Sequence, residues 1–292
     1  MTTRRLCLID GHAVMYRSFF AIPELSTAAG RPTNAVFGFI RMIRQLRQKL
    51  QPTHMIAVFD GGTPPRRLDL LSTYKAQRPA MPESLRAQFS IVEDYLDKVC
   101  TPFVRIQSEE ADDVIATLAR KAVADGADVI IVTNDKDMYQ LVDAHTMMVP
   151  PSDTERMMTV EDVTAKTGVG PKKIVDWLAL IGDAADNIAG VPGVGPKTAA
   201  KLLQEHGSVA GIYEELSRVK SPGIRNALEQ SRNVVSRNVE LIRLSIDLAC
   251  SLDWAKAEVR REDPERLLPF LRELELNSLT KELEKASEKT LF

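Results

Sequence analysis

Four short runs of β-branched and other apolar residues alternate with longer segments of helical periodicity through the first half of the chain. The runs are RLCLID (5–10), HMIAVFD (54–60), FVRI (103–106) and DVIIVT (128–133). Between them, residues 33–50 and 110–126 place apolar side chains at helical spacing, and the second segment begins with acids and ends at Gly126, as a capped helix does. Strands that alternate with helices predict an α/β fold with a mostly parallel sheet flanked by crossover helices.

From about residue 159 the strand pattern stops, and the chain continues as helical segments separated by glycine and proline. The pentapeptide Gly-Val-Gly-Pro-Lys occurs twice there, at 168–172 and 193–197, each time with proline where a helix would begin. Two copies are too few for a repeat fold. We therefore predict an α/β domain over 1–158, an all-helical domain over 159–256 and a helical tail over 257–292, to which the sequence assigns no function.

Composition excludes several classes of protein. The 292 residues are 44% hydrophobic and 27% charged, and no apolar run approaches the roughly 18 residues that a membrane span needs. The amino-terminal MTTRRLCLIDGH has only a strand-length apolar stretch, so it does not predict a signal peptide and we expect a cytoplasmic protein. Cys7, Cys100 and Cys250 are far apart in apolar surroundings, which predicts core thiols rather than disulfides or a zinc site.

The charge is nearly balanced overall but unevenly distributed. The chain has 38 basic and 40 acidic residues, a net charge of -2, which argues against a simple polycation that coats nucleic acid. Residues 31–90 hold ten lysines and arginines against three acids, whereas residues 109–143 hold nine acids against three bases. A basic stretch beside an acidic one suits a polyanion held over a metal site, although charged helix faces also produce such contrasts.

Carboxylates follow the predicted strands at one edge of the sheet. Asp10 ends the first run, Asp60 ends the second, and Asp135 and Asp137 follow the DVIIVT run. Functional groups gather at the carboxyl ends of parallel strands, so these side chains are expected to lie together. The EADD segment adds three acids at the start of a helix, Glu110, Asp112 and Asp113.

A second pair of acids, Asp183 and Asp186, lies at the end of a predicted helix that begins near Pro171. This is the unfavourable end for negative charge, so we expect cations to compensate the pair. Any one of these acids alone could be a helix cap or turn residue. Together they would repel one another unless divalent ions neutralised them, and all-oxygen ligands favour magnesium or manganese over zinc. The sequence therefore predicts a two-metal phosphodiesterase, with ions roughly 4 Å apart.

Six motifs together resemble the bacterial 5′-nuclease family, the domain at the amino terminus of DNA polymerase I and its free-standing relatives related to flap endonucleases. They are LIDGH (8–12), VFD (58–60), YKAQRPAMP (74–82), EADD (110–113), TNDKDMYQL (133–141) and GDAADNIAGVPGVGPKTA (182–199). The resemblance implies a PIN-like sheet, a helical arch near 66–100 and a helix-three-turn-helix element for DNA in the helical domain. It also implies two metal groups: Asp10, Asp60, Glu110, Asp112 and Asp113 for one ion, and Asp135, Asp137, Asp183 and Asp186 for the other.

The resemblance further implies how DNA is bound. Lys75 and Arg78, at the start of the arch, would reach the scissile phosphate, Tyr74 would stack on a base, and Arg17 and Arg67 would contact phosphates. Gly193, Gly195 and Lys197 belong to the expected helix-three-turn-helix loop, whose carbonyls would bind K⁺. A helix that begins at Pro196 offers free N–H groups to a phosphate, whereas a plain glycine turn is the other interpretation.

Three departures from the family pattern are Arg66, Asn134 and Ala189, none of which removes an acid. The resemblance implies a 5′-3′ exonuclease and flap endonuclease that uses Mg²⁺, or Mn²⁺ in its place, on DNA with 5′ ends, nicks or flaps, including RNA-primed fragments. It further implies a monomer with a DNA polymerase as partner. Two alternatives stay open: a non-catalytic DNA-junction binding module and a PIN-type ribonuclease.

Overall fold

The computed structural model describes residues 4–288. Its main sheet has five parallel strands in the order β3-β2-β1-β4-β5, and a small antiparallel ribbon follows in the second half. The strands are β1 (Arg5–Asp10), β2 (His54–Phe59), β3 (Phe103–Arg105), β4 (Asp128–Val132), β5 (Thr146–Val149), β6 (Gly182–Asp183) and β7 (Ile188–Ala189). The predicted parallel sheet is confirmed, and its carboxyl edge carries the expected acids.

Helices cover both faces of the sheet and make up most of the second half. They are α1 (Gly11–Ala21), α2 (Asn34–Leu50), α3 (Pro65–Leu70), α4 (Glu83–Arg86), α5 (Phe89–Lys98), α6 (Ala111–Ala124), α7 (Val160–Thr167), α8 (Ile174–Ile181), α9 (Pro196–His206), α10 (Val209–Glu214), α11 (Pro222–Gln230), α12 (Arg232–Ile242), α13 (Trp254–Ala257), α14 (Pro264–Glu273) and α15 (Asn277–Glu288). Short 3-10 turns lie at Lys136–Leu141, Pro171–Lys173, Ala184–Asp186 and Leu216–Arg218. The helices predicted over 33–50 and 110–126 are α2 and α6.

Two predictions about strands were incomplete. The edge strand β5 was missed, because four residues between turns give too short a pattern to separate from a loop. The second half is not entirely helical, since β6 and β7 form a two-stranded ribbon directly after α8. Gly182 and Gly190 permit this ribbon: a Cβ at Gly182 would lie 2.4 Å from the Gly190 amide nitrogen, and Gly182 has a φ of +77°.

Alternate residues of β1 divide the core between the two faces of the sheet. Leu6 and Leu8 belong to the cluster that contains α6 and the helical half, whereas Cys7 and Ile9 belong to the cluster with α1, α2 and α5. Cys7 is the buried core thiol that was predicted, but Cys100 and Cys250 are only partly buried. Among residues 4–288, no helix is long and apolar enough to cross a membrane.

The carboxy-terminal tail belongs to this core. Leu267, Leu271 and Leu279 of α14 and α15 are fully buried in the cluster with α2 and α5. Arg44 of α2 fixes the same region through two hydrogen bonds to the Glu262 carboxylate, at 2.9 and 3.2 Å. The predicted tail is therefore helical, but it is packed as an integral layer of the α/β half; its last four residues, 289–292, lie outside the described part of the chain.

Leu271→Ala should lower the free energy of unfolding by about 2–5 kcal/mol, because it leaves a cavity in a fully packed layer. Urea unfolding followed by circular dichroism measures the loss. Leu268→Ala on the same helix is the control, since Leu268 is only partly buried and should cost clearly less. Equal losses for the two variants would show that the tail does not pack as described.

The segment expected to begin the helical arch is a run of turns at residues 72–77. The Lys75 amide donates to the Asp186 carbonyl at 3.1 Å, and the Asn187 side-chain amide donates to the Thr73 carbonyl at 2.9 Å. These bonds hold the segment against the ribbon, and the prolines at 79 and 82 prevent a continuous helix through it. Residues 72–77 are therefore a run of turns and not a helix, and the arch near 66–100 stays a prediction; α5 further on packs into the core.

Candidate active site

An acidic cavity of about 620 Å³ opens at the carboxyl ends of β1, β2 and β4. We use the name acidic cavity for this space. Among the residues that line it are Asp10, Asp60, Lys75, Arg78, Asp112 and Asp135. The predicted convergence of strand-end acids is thus present in the structure, with two of the predicted cations in the same cavity.

Asp10 is held by hydrogen bonds to both carboxylate oxygens. Its Oδ1 accepts from the Ala13 amide at 2.9 Å and caps α1, and its Oδ2 accepts from the Thr133 hydroxyl at 2.9 Å. Burial raises the pKa of Asp10 to about 7, and the nearby charge of Asp60 adds to the rise. A positive charge that enters the cavity would therefore favour its ionised form.

Three neighbouring carboxylates also have raised pKa values. Burial raises the pKa of Asp112, Asp135 and Asp137, and repulsion by other carboxylates raises each of them further. Asp60 is more exposed: its Oδ1 accepts from the Ala111 amide at 2.8 Å, at the amino terminus of α6. The cluster thus concentrates negative charge that the protein alone does not fully neutralise.

The ribbon places a second group of acids beside the first. One carboxylate oxygen each from Asp137, Asp183 and Asp186 lies within 4.8 Å of the others, and we call these three residues the ribbon group. Asp183 and Asp186 come directly after α8, as the sequence predicted, and cations compensate them. Lys136 Nζ lies 3.0 Å from Asp183 Oδ1, and Arg78 Nη2 donates to Asp186 Oδ1 at 2.6 Å.

The residues present fit divalent cations with oxygen ligands. Glu110 Oε1 and Asp137 Oδ1 are buried without a hydrogen-bond partner among the described residues, which is costly unless another group binds them. Every acid in the two groups offers only oxygen, and the raised pKa values favour binding of positive charge. Magnesium and manganese match this donor set.

Asp113, one of the predicted metal ligands, does not line the acidic cavity. Its side chain is fully buried, and Oδ1 accepts from the Ser245 amide at 2.7 Å and from Arg67 Nη2 at 3.1 Å. Oδ2 accepts from Arg66 Nη2 at 2.8 Å. The structure therefore does not bring Asp113 to the acidic cavity, because its carboxylate is fully buried and faces Arg66, Arg67 and Ser245 instead.

Arg67 is likewise not the phosphate contact that was predicted. Only 2% of its surface is exposed, and its guanidinium donates to Glu110, to Asp113 and to the Leu241 carbonyl. A buried guanidinium with these partners cannot reach a phosphate on the surface. Arg17, by contrast, is exposed on α1.

Tyr74 is not available to stack on a base. It is 5% exposed, and its hydroxyl donates to Asp186 Oδ2 at 3.0 Å and approaches Glu110 Oε2 at 3.3 Å. Burial and these two carboxylates raise its pKa. The residue instead bridges the two acidic groups from below the cavity surface, so the stacking prediction is wrong.

Lys75 lies between the two acidic groups. Its Nζ is 2.8 Å from Glu110 Oε2 and 3.9 Å from Asp186 Oδ2, and its backbone has a φ of +57°. Burial alone would lower the pKa of Lys75, but Glu110 and Asp186 outweigh it and raise the pKa. Lys75 is therefore a charged ammonium inside the cavity.

The two glycine-rich pentapeptides differ in their surroundings. The first packs against the helical half: a Cβ at Gly168 would lie 2.9 Å from the Ala200 Cβ. In the second, Gly193 has a φ of +77°, Gly195 precedes α9 without a side-chain cap, and Lys197 is exposed in the first turn. The first copy leads into the 3-10 turn at Pro171–Lys173, whereas the second leads directly into α9 with its first residues exposed.

Sequence reasoning missed two residues that support the acids. His12 Nδ1 accepts a hydrogen bond from the Asp60 amide at 3.1 Å, and the Thr133 hydroxyl donates to Asp10. Burial lowers the pKa of His12, which keeps the ring neutral and able to accept. The sequence could have indicated both residues, because each follows a strand, β1 or β4, whose carboxyl end carries the acids.

Comparison with known proteins assigns the class of this fold and site. A family model described as 5′-3′ exonuclease, N-terminal resolvase-like domain, matches residues 5–168, and one described as 5′-3′ exonuclease, C-terminal SAM fold, matches residues 169–265. The chain belongs to the 5′-3′ exonuclease family, and it is a nuclease. The predicted family, PIN-like fold class and enzyme class are confirmed.

Among individual relatives, the 5′-3′ exonuclease of Aquifex aeolicus is 38% identical over 293 residues, which are 99% of this chain and 100% of the relative. DNA polymerase I of Pseudomonas aeruginosa is also 38% identical, over 299 residues, but the match spans only 33% of it. The chain thus spans the whole of one relative and a third of the other.

Solved structures share the fold. The bacteriophage T5 flap endonuclease in complex with DNA and metal ions matches with a TM-score of 0.69 at 21% identity, over 98% of this chain and 100% of that one. The catalytic core of Rad2 in complex with DNA substrate matches with a TM-score of 0.62 at 16% identity, over 93% and 88%. At these identities the likeness supports the arrangement of the chain alone.

Proposed function

We propose that this nuclease hydrolyses DNA phosphodiesters at 5′ ends and flaps with two divalent metal ions, Mg²⁺ or Mn²⁺ in its place. The observation that carries the proposal is the meeting of two carboxylate groups with Lys75 and Arg78 at the acidic cavity. Asp10, Asp60, Glu110 and Asp112 would hold one ion. The ribbon group would hold the other, with Asp135 between them.

The bound ions would supply a hydroxide nucleophile and stabilise the leaving oxygen. The protein's own contribution is position and charge. Thr133 and His12 fix Asp10 and Asp60, and Tyr74 joins Glu110 to Asp186. Lys75 and Arg78, which contact the carboxylates Glu110 and Asp186, are placed to stabilise negative charge on a phosphate that enters the cavity.

Duplex DNA would bind at the second Gly-Val-Gly-Pro-Lys. The open amino terminus of α9 offers backbone N–H groups to a phosphate, Gly193 and Gly195 let the strand approach, and Lys197 adds charge. Exposed Arg17 on α1 would contact a further phosphate. K⁺ would bind the carbonyls of this loop, as the sequence resemblance implies.

Lys197→Ala should weaken binding to duplex DNA and lower the salt slope of log K by about one unit, because it removes one phosphate contact. Fluorescence anisotropy in Ca²⁺ at several salt concentrations measures this slope. Lys281→Ala, an exposed lysine on α15, is the control and should leave the slope unchanged. An unaltered slope for Lys197→Ala would mean that Lys197 faces solvent and makes no phosphate contact.

End-labelled flap DNA, single-stranded RNA and duplex DNA, each incubated with Mg²⁺ or EDTA, test the proposed activity. Cleavage of flaps and 5′ ends in Mg²⁺ alone is the expected result. Flap binding without cleavage would favour a junction-binding module, and preferred cleavage of single-stranded RNA would favour a PIN-type ribonuclease. We further propose a cytoplasmic monomer that acts beside a DNA polymerase and removes RNA-primed 5′ ends.

A further inference from the structure

The carboxyl end of α12 is bound by side chains from both parts of the active site. A helix leaves its last four carbonyl groups without partners of its own, so other groups must satisfy them. At residues 241–245, which we call the α12 end, Arg67 and Gln140 bind two of these carbonyls. The bonds are Arg67 Nε to the Leu241 carbonyl at 3.1 Å and Gln140 Nε2 to the Ile242 carbonyl at 3.1 Å.

Arg67 joins the α12 end to the first acidic group. Its planar guanidinium donates to Glu110 Oε2, to both oxygens of Asp113 and, through Nε, to Leu241. Asp113 completes the link, because it accepts from the Ser245 amide at 2.7 Å. A lysine could not satisfy these partners together, since it has no forked, planar set of donors.

Gln140 joins the same end to the ribbon group. Its Nε2 also donates to the Asp137 carbonyl at 2.8 Å, and its Oε1 accepts from the Leu244 amide at 3.1 Å. Earlier on α12, the buried Asn238 donates to the Ala179 carbonyl of α8 and the Ala189 carbonyl of β7, at 3.0 and 2.8 Å. One helix of the second half therefore contacts the elements that carry both groups.

If the acids bind metal ions, these contacts would hold the carboxylates at the spacing that the ions require. Carboxylates crowded in a cavity repel one another, so their spacing must be held from outside the cluster. We propose that the α12 end positions both metal-binding groups, with Arg67 and Gln140 as the positioning residues. The proposal rests on the proposed function, because it concerns the same metal ions, but it assigns their geometry to a helix that offers no ligand itself.

Arg67→Lys and Gln140→Ala test the proposal on the DNA-free protein with Mn²⁺ as the probe. Each variant should bind Mn²⁺ about 10–100-fold more weakly in electron paramagnetic resonance titrations, as loss of a group that orients metal ligands does. In single-turnover cleavage, the half-saturating Mg²⁺ concentration should rise, whereas the rate at saturating Mg²⁺ should recover most of the wild-type value. If the two residues only stabilised the fold, their loss would not raise the half-saturating Mg²⁺ concentration while leaving the saturated rate nearly intact.

Arg44→Lys and Gln204→Ala are the matched controls. Arg44 makes the same kind of forked contact with Glu262 in the tail, and the Gln204 amide donates to the Gly168 carbonyl at 2.8 Å. Both controls should keep wild-type Mn²⁺ affinity, even if Arg44→Lys lowers the melting temperature.

The Mn²⁺ titrations distinguish failure of the two-metal function from failure of the positioning role of Arg67 and Gln140. Wild-type protein that binds no Mn²⁺ would overturn the two-metal function and this inference with it. Wild-type binding together with Mn²⁺ affinity within about twofold for both test variants would overturn the inference alone. If Arg67→Lys does not fold, the half-buried Gln140→Ala decides the matter by the same measure.

Discussion

Asp112→Asn is expected to lower single-turnover cleavage of a 5′ flap in Mg²⁺ by at least about a thousandfold. Asp112 lines the acidic cavity, and a metal ion supplies several kcal/mol of transition-state stabilisation that a weaker ligand set loses. Flap affinity in Ca²⁺ should fall much less. Asp128→Asn is the control, because Asp128 begins β4 at the opposite edge of the sheet and pairs with His145.

The same substitution should stabilise the metal-free protein. Burial and the charges of Asp135 and Asp10 raise the pKa of Asp112 above its unfolded value, so the ionised form opposes folding at neutral pH. Wild-type stability in EDTA should therefore rise as pH falls through the folded-state pKa, and Asp112→Asn should flatten that rise. Thermal unfolding in EDTA at several pH values measures it. A lower melting temperature and near-normal cleavage would together exclude Asp112 from the metal site.

Lys75→Ala is expected to lower the saturated single-turnover rate about 100–1000-fold, the usual loss for one preorganised electrostatic donor. The reason is its place in the cavity, where the ammonium lies 2.8 Å from Glu110 and can act on charge that appears only in the transition state. The dissociation constant for flap DNA in Ca²⁺ should change little by comparison. Single-turnover cleavage in Mg²⁺ measures the rate, and binding of flap DNA in Ca²⁺ measures the dissociation constant.

Arg17→Ala provides the contrasting case. Arg17 is exposed on α1, so its loss should weaken binding and leave the saturated rate nearly intact. Lys75→Arg keeps the charge but changes its shape, and shows whether a compact ammonium is required. If Lys75→Ala loses only affinity and cleaves at the wild-type saturated rate, Lys75 is a phosphate anchor and its assigned role is wrong.

The neighbouring acids of α6 show where prediction from sequence stops. The EADD motif and its helix were predicted, and the resemblance treated Asp112 and Asp113 alike as ligands. Successive residues on a helix point about 100° apart, so the two side chains enter different surroundings. Asp112 lines it, whereas Asp113 points to Arg67 and Ser245.

The sequence by itself determined the strands β1 to β4, the acids at their carboxyl ends and the family, because these depend on local periodicity and on contiguous motifs. Tertiary structure alone decided that Arg67 and Tyr74 are buried and that the tail completes the core. Those outcomes depend on partners far away in the chain: Arg67 binds the carbonyl of Leu241, 174 residues later. Local patterns fix the direction of a side chain within its element, but only the packed chain determines what it meets there.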